Sequence, residues 1–352
     1  MFLRNCWYVA ARDSELDDRR LVARRILGEP MLFFRTADGT IAAFQDRCPH
    51  RLAPLSAGRR IGDRIRCGYH GIEFAADGRC VHIPGQDTVP ASAGVRTFPA
   101  LLRHGCAWVW PGDPTKADPA LIPDVPWPRL AGWATAEGYT HVAADYRLLT
   151  DNLLDLSHET YLHDATIGNQ AEQTIADYPV TVGERPGQVI EARRVMAGID
   201  APPFFAMILG TDGRIDRWQA AIWAPPCVNL TDTKAAPAGA TDAQPYVGRV
   251  LHLLTPETAA STHYFWSLSR NYRTSDDELT ELLRGSLRQT FDEDKYMLEL
   301  QQREVAATGL AIPGLAVKLD VAAVRARRIL DGLIRRERDG AAPAIGPAVL
   351  VD

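Results

Sequence analysis

No run of about 18 apolar residues, the length that crosses a bilayer, occurs in this 352-residue chain. The opening residues, MFLRNCWYVAARDSELDD, lack the basic segment, apolar stretch and small-residue cleavage site of a secretory signal. A cytoplasmic location with no membrane partner is the expectation. Positive charge is not in excess: the net charge is −5, which speaks against a nucleic-acid partner. Lysine is scarce, four residues among 39 basic ones, a compositional bias without functional content. Cysteine is sparse too. Six cysteines in a chain of this length are not the framework of a small secreted disulfide protein, and reduced thiols, some binding metal, fit better. Internal repeats are absent. What remains is ordinary globular composition, 46% hydrophobic and 24% charged, with length enough for two domains.

Residues 1–112 read as short β segments punctuated by Gly and Pro. Arg24–Arg35 and Thr40–Gln45 flank an Ala37-Asp38-Gly39 turn, a hairpin signal, and further strands are expected near Gly71–Phe74 and Ala107–Trp110. Six prolines in residues 111–128 mark a boundary, taken as a semi-rigid extended linker over 113–128. Beyond it, helical stretches at about 147–163, 275–308 and 319–338 alternate with β-like runs near 188–196, 215–223, 247–254 and 261–270. The reading is α+β: an all-β domain, then a domain over 129–338 with an antiparallel sheet covered by helices. Residues 235–245 are expected to be a loop and 339–352 a poorly ordered tail.

Two short segments carry the strongest chemistry: Cys48-Pro49-His50 and Cys67-Gly68-Tyr69-His70, with 16 residues between His50 and Cys67. Each offers one sulfur and one imidazole. A Rieske [2Fe–2S] cluster needs two Cys on one iron and two His on the other, and two facing loops of this kind supply that set. A structural Cys₂His₂ zinc site is the competing reading, but zinc sites pair Cys with Cys and His with His locally. Cys6, Cys80, Cys106 and Cys227 stand alone and read as small buried apolar residues. His82 and His104, without a partner at ligand spacing, read as structural.

A second constellation lies in DNLLDLSHETYLH, residues 151–163. His158 and His163, with one carboxylate, would make the facial triad of a non-haem iron site. Five residues apart, they diverge by about 140° on a regular helix. The helix should therefore be distorted or end there, with Ile167-Gly168-Asn169 terminating it. The carboxylate is sought on the helix that Ser275-Asp276-Asp277-Glu278 opens as a capping box. Asp294 falls on its apolar stripe of Leu283, Leu287, Phe291 and Leu298, where an acid is costly unless paired or metal-bound. A buried salt bridge is the alternative for Asp294, while Asp292 lies on the solvated face. Asp155, three residues before His158, could hydrogen-bond the ligand's other ring nitrogen, and Asn152 could line the same site.

With these residues stand RNCWYVA (4–10), CPHR and APLS (48–56), CGYHG (67–71), WVWPGD (108–113), DYRLLTDNLLDLSHETYLH (145–163), DRWQ (216–219) and RRILDGLI (327–334). Across nearly its whole length the chain resembles the Rieske non-haem iron oxygenases. Within them it resembles the subgroup of vanillate O-demethylase oxygenase components and toluenesulfonate methyl-monooxygenases. The resemblance implies that Cys48, His50, Cys67 and His70 hold the [2Fe–2S] cluster and that His158, His163 and Asp294 hold a mononuclear Fe(II). It also implies a homotrimer in which Asp155 bridges a cluster His of one subunit to an iron His of its neighbour. The partner would be an NADH-dependent reductase carrying flavin and a ferredoxin-type cluster. The implied activity is monooxygenation: O-demethylation of a methoxylated aromatic acid such as vanillate, with release of formaldehyde. Alternatives are N-demethylation of an aryl amide or urea, methyl hydroxylation of a toluenesulfonate-like substrate or, from another class, a Rieske-type electron carrier. Arg194 and Arg217, considered as carboxylate binders, read rather as surface or sheet residues.

Overall fold

The computed structural model describes residues 1–352 apart from 18–19, 164–166, 168–174, 212, 241–244, 311, 313, 342–344 and 352. It forms two compact units: Met1–Pro119 with Thr255–Ala259, and Ala120–Leu254 with Ala260–Asp352. Among the described residues no helix is long and apolar enough to cross a membrane.

Among its described residues the first unit has ten strands: β1 (Tyr8–Arg12), β2 (Val22–Ile26), β3 (Glu29–Arg35), β4 (Ile41–Gln45), β5 (Arg59–Ile61), β6 (Arg64–Arg66), β7 (Glu73–Phe74), β8 (Cys80–His82), β9 (Ala100–Arg103) and β10 (Cys106–Val109). They form three sheets, ordered β1-β10-β9, β2-β3-β4 and β5-β6-β7-β8. The expected hairpin is present, with Arg35 opposite Ile41 across the Ala37-Asp38-Gly39 turn. The Arg24–Arg35 run is not one strand, however. Leu27 and Gly28, both at positive φ, fold it into the β2–β3 hairpin. Leu32, Phe34, Phe44, Ile65 and Phe74 pack into a core that also includes Cys48 and Cys67. Cys6 and Cys106 are buried in this unit as expected, but Cys80 is only half-buried.

The second unit is built on one seven-stranded antiparallel sheet. Its strands are β11 (Ala134–Val142), β12 (Val180–Arg185), β13 (Val189–Asp200), β14 (Arg214–Ala224), β15 (Val228–Pro237), β16 (Tyr246–Thr258) and β17 (Ser261–Arg270). The order is β11-β17-β16-β15-β14-β13-β12. Its helices are α1 (Tyr146–Leu154), α2 (Glu159–Leu162), α3 (Pro203–Leu209), α4 (Asp277–Thr308) and α5 (Val321–Arg338). Helix α4 packs on β11, α5 on β13, and α1 lies against both helices and the sheet.

Four expectations change here. The segment read as an extended linker makes three short 3₁₀ turns, at Pro114–Lys116, Pro119–Leu121 and Trp127–Arg129. Trp127 is buried there beneath the Arg249 guanidinium, 4.6 Å from its ring centre. The expected loop at 235–245 begins as strand, because β15 continues to Pro237; residues 241–244 lie outside the described residues. The C-terminal tail has no regular structure, yet Ala348 and Leu350 are buried and Arg185 donates to the Leu350 carbonyl. Helix α4 is capped by Asp276, whose carboxylate accepts from the Leu279 amide; Ser275 is not the cap.

Gly138 on β11 sits directly opposite Trp266 on β17. A Cβ at Gly138 would lie 1.9 Å from the buried indole ring, so only glycine leaves room for it. Gly138→Ala is expected to destabilise the second unit by about 1–3 kcal/mol through overpacking, seen as a lower urea midpoint with unchanged m.

Candidate functional site

The two Cys–His loops of the first unit share one backbone device. The Cys48 carbonyl accepts from the Leu52 amide (2.9 Å), and the Cys67 carbonyl from the Gly71 amide (3.1 Å). Each turn closes on a left-handed residue, Leu52 and Gly71. Gly68 is needed as well, because a Cβ there would come within 2.7 Å of the Ala57 carbonyl oxygen. The sulfurs of Cys48 and Cys67 point into the core and face one another. Burial, with a smaller contribution from Cys67, pushes the Cys48 thiol up, so a bound cation is needed to draw out the thiolate. The His50 and His70 rings lie together on the exposed side, 4.6 Å apart at their centres. Sulfurs inward and imidazoles outward fit a two-iron cluster with unlike ends.

The second site lies where α1 breaks. The helix stops at Leu154, Asp155 takes an extended conformation, and a 3₁₀ turn over Leu156–His158 leads into the short α2. This is the distortion that the spacing of the histidines demanded, although Gly168 and Asn169 of the expected terminator lie outside the described residues. The break brings the His158 and His163 rings to 5.1 Å between centres. Asp294 meets them from the buried stripe of α4, its Oδ1 3.5 Å from His158 Nε2 and 3.2 Å from His163 Nε2. Asp292 is exposed.

Among the described residues these three form the one group able to share a metal ion, with ligand atoms within 4.8 Å of one another. Two ligands at about 2.1 Å from one ion and at right angles to it would stand about 3 Å apart, so the set fits with little movement. Tautomers fit as well. His158 Nδ1 donates to the Asp155 backbone carbonyl (2.5 Å) and His163 Nδ1 to Glu293 Oε2 (2.7 Å), leaving both Nε2 lone pairs for the ion. Without the ion, Asp294 draws a second proton onto Nε2 of each imidazole; burial raises the Asp294 carboxyl, but hydrogen bonds from these Nε2–H groups of His158 and His163, which a bound ion would replace, outweigh it and hold the group well below the usual carboxylate range.

The expected role of Asp155 changes in detail. Its main-chain carbonyl, not its carboxylate, meets His158 within the chain, while the carboxylate accepts from the Ser157 amide (2.9 Å). Asn152 donates to Asp294 Oδ1 (2.9 Å).

Several residues here had no motif to mark them. Glu293, which accepts from His163, directly precedes Asp294 and has no spacing signal of its own. Asn229 is buried with neither amide atom hydrogen-bonded, and it pairs across β15–β16 with His252. His252 hydrogen-bonds Tyr264 (2.6 Å) and Thr231 (3.2 Å), and burial lowers its pKa to about 3, so the ring is neutral. A polar residue inside an apolar strand run, VNL or LHLL, was the available signal. Arg194 and Arg217 are sheet residues, on β13 and β14, but both are buried rather than at the surface. Arg217 and Gln219 both donate to Glu159, the residue after His158. Two cavities meet at Gln219: one of about 390 Å³ lined by Arg194, Tyr178 and Lys318, and one of about 80 Å³ lined by Arg217, Phe205 and Leu268.

Residues 6–99 match the Rieske [2Fe-2S] domain, and residues 142–336 match the vanillate O-demethylase oxygenase C-terminal domain. The chain is 38% identical to the vanillate O-demethylase oxygenase subunit of Pseudomonas sp. (strain HR199 / DSM 7063), covering 98% of each. It is 35% identical to the toluene-4-sulfonate monooxygenase system iron-sulfur subunit of Comamonas testosteroni, over 97% of this chain and 100% of that one. The crystal structure of dicamba monooxygenase with non-haem iron and dicamba superposes with a TM-score of 0.82 at 36% identity, covering 96% of this chain and 99% of that one. The chain is therefore an oxidoreductase of the Rieske non-haem iron oxygenase family, in the branch that shares the vanillate O-demethylase oxygenase C-terminal domain, with a [2Fe–2S] centre and a mononuclear iron as its cofactors.

Proposed function

We propose that the chain is the terminal oxygenase of a multicomponent system that O-demethylates a methoxylated aromatic acid such as vanillate. The observation that carries this is the convergence of His158, His163 and Asp294 in a chain that also has two Cys–His loops. In this reading Cys48, His50, Cys67 and His70 hold the cluster, and His158, His163 and Asp294 hold the iron. When bound, the cluster supplies electrons singly and the iron activates O₂. The balance is ArOCH₃ + O₂ + 2e⁻ + 2H⁺ → ArOH + CH₂O + H₂O: a methyl C–H becomes C–OH, and the hemiacetal then loses formaldehyde.

The protein's part is to hold and orient. The Asp155 carbonyl and Glu293 fix the two imidazoles by their Nδ1 hydrogens, and Asn152 fixes the Asp294 oxygen that turns toward them. Asn229 offers one donor and one acceptor, unspent, two residues along β15 from the cavity-lining Thr231, suited to a polar ring substituent. The finer assembly is a cytoplasmic homotrimer fed by an NADH-dependent flavin and ferredoxin-type reductase. In it Asp155 would bridge an iron His to a cluster His of the neighbouring subunit.

Glu293→Ala is expected to weaken Fe(II) binding at the mononuclear site about 10–100-fold, because His163 loses the acceptor that orients it. Equilibrium titration with Fe(II) reads this, while the visible absorbance of the cluster stays unchanged. The function itself is tested by supplying vanillate, NADH, air and a vanillate-type reductase. Formaldehyde in step with the demethylated diphenol is expected. A reduced cluster without formaldehyde would rule out vanillate and direct the assay to toluenesulfonates and N-methyl ureas.

A further inference from the structure

The stretch that carries the proposed cluster ligands has a charge unlike the rest of the chain. Residues 47–79 hold seven arginines against Asp63, Glu73 and Asp77, a local positive excess in a chain of net charge −5. The register of β5 and β6 gathers that charge onto one surface. Arg59 stands opposite Arg66, and Ile61 opposite Arg64. Ile65, between the two arginines of β6, turns inward to the core. Arg59, Arg64 and Arg66 therefore share the outer face, and all three are exposed. Glu73 of β7 is opposite Arg66, and the exposed His82 of β8 is opposite Glu73.

The acids nearby are already taken. Arg64 (3.0 Å) and Arg66 (2.7 Å) both close on Glu73. Asp63, in the hairpin turn, accepts from the Ala37 amide (2.8 Å) and pairs with Arg60 (3.4 Å). Arg59 is left without an ion pair among the described residues. Like charges directly opposite one another, with Cβ atoms about 4.5–5.5 Å apart, destabilise a strand pair. Folding alone gives no reason to set Arg59 against Arg66, whereas an acidic partner closing over the face does. Position says which partner. Strand β6 runs from Arg66 straight into Cys67, and the loop that carries Cys67 and His70 returns through Ile72 to Glu73. The face thus bounds that loop at both ends, and a protein docked on it meets the proposed cluster loop directly.

We propose that the outer face of β5–β7, centred on Arg59, Arg64 and Arg66, is the docking surface for an acidic iron–sulfur electron donor. The proposal rests on the oxygenase reading above, which requires a donor, and adds where that donor binds. One electron passes in each encounter: the donor's reduced cluster is oxidised, and the oxidised cluster of this chain is reduced. The uncompensated arginine charge steers the acidic donor and sets its orientation, an effect that salt screens.

The test uses the holoprotein with its cluster loaded and oxidised, and needs no vanillate. The probe is a reduced plant-type ferredoxin, an acidic [2Fe–2S] protein of lower potential, with the reduced methyl viologen cation as control. Stopped-flow absorbance follows cluster reduction. The second-order rate constant with ferredoxin is expected to fall at least about tenfold from low to high ionic strength. Arg59→Glu should lower it about tenfold at low salt and little at high salt, and should not slow reduction by methyl viologen. The same variant should keep or raise Tm, because it sets an acid opposite Arg66; loss of a merely structural arginine would lower it. A rate constant indifferent to salt, or an Arg59→Glu protein that ferredoxin reduces as fast as wild type at low salt, overturns the surface. Equal slowing with methyl viologen also overturns it, since Arg59 would then act on the cluster itself. Should Arg59→Glu fail to load its cluster, Arg59→Gln is read instead: slowing of about threefold is expected, and none overturns the proposal. If vanillate is demethylated but ferredoxin ignores Arg59, the docking surface fails and the oxygenase reading stands. If vanillate is not demethylated yet reduction by ferredoxin needs Arg59, the reverse holds.

Discussion

Asp294→Ala protein is expected to keep its [2Fe–2S] cluster and lose its mononuclear iron, falling from about three irons per chain to about two, with turnover below detection. The carboxylate is the one member of the set that comes from α4, and its Oδ1 faces both Nε2 atoms. Without it two neutral imidazoles remain, a weak site for a metal that favours mixed oxygen and nitrogen ligation. The proposed cluster ligands, Cys48, His50, Cys67 and His70, lie in the other compact unit, so visible absorbance should persist. Asp294→Glu keeps the charge but moves it by one methylene, and should bind iron with reduced turnover. Iron analysis on desalted protein reads both variants, and full iron retention in Asp294→Ala would remove Asp294 from the ligand set.

Arg217→Met is expected to be the most destabilising single change in the second unit. The Arg217–Glu159 pair is 2.9 Å long, with side chains 2% and 4% exposed. Removing the cation strands a buried carboxylate, a loss of about 3–5 kcal/mol. At this size that corresponds to a fall in Tm on the order of 10 °C. The double variant Arg217→Met with Glu159→Leu should recover most of the loss, since an apolar pair of similar volume satisfies the site without charge. If the double variant unfolds as readily as the single one, the pair is not an isolated unit and the packing of Phe205 on Arg217 matters more. Because Glu159 follows His158, the single variant should also bind iron less tightly.

Both candidate metal sites are legible in the sequence for a physical reason: most of their proposed ligands are close together along the chain. A Cys and a His two or three residues apart sit on one turn, so their spacing alone specifies a metal loop. Asp294 was reached from further away, through a periodicity argument that a carboxylate on an apolar stripe needs a partner. What escaped is long-range. Glu159 and Arg217 meet across 58 positions, and no local pattern joins them. Strands β11, β12 and β15 were missed because their sequences, such as ATAEGYTHV, do not alternate cleanly. The Asp155 contact was assigned to the right residue but the wrong atom, since spacing does not separate a side chain from its own carbonyl.

The measurement that bears most directly on the central claim is a single turnover without reductase. Demethylation takes two electrons, and a chain with both centres reduced holds two. Fully reduced protein, freed of excess reductant and mixed with vanillate and air, should yield formaldehyde and the diphenol in equal amounts. The yield should approach one per mononuclear iron and vanish in Asp294→Ala. Reoxidation of the cluster with no formaldehyde, or an equal yield from Asp294→Ala, would contradict the account.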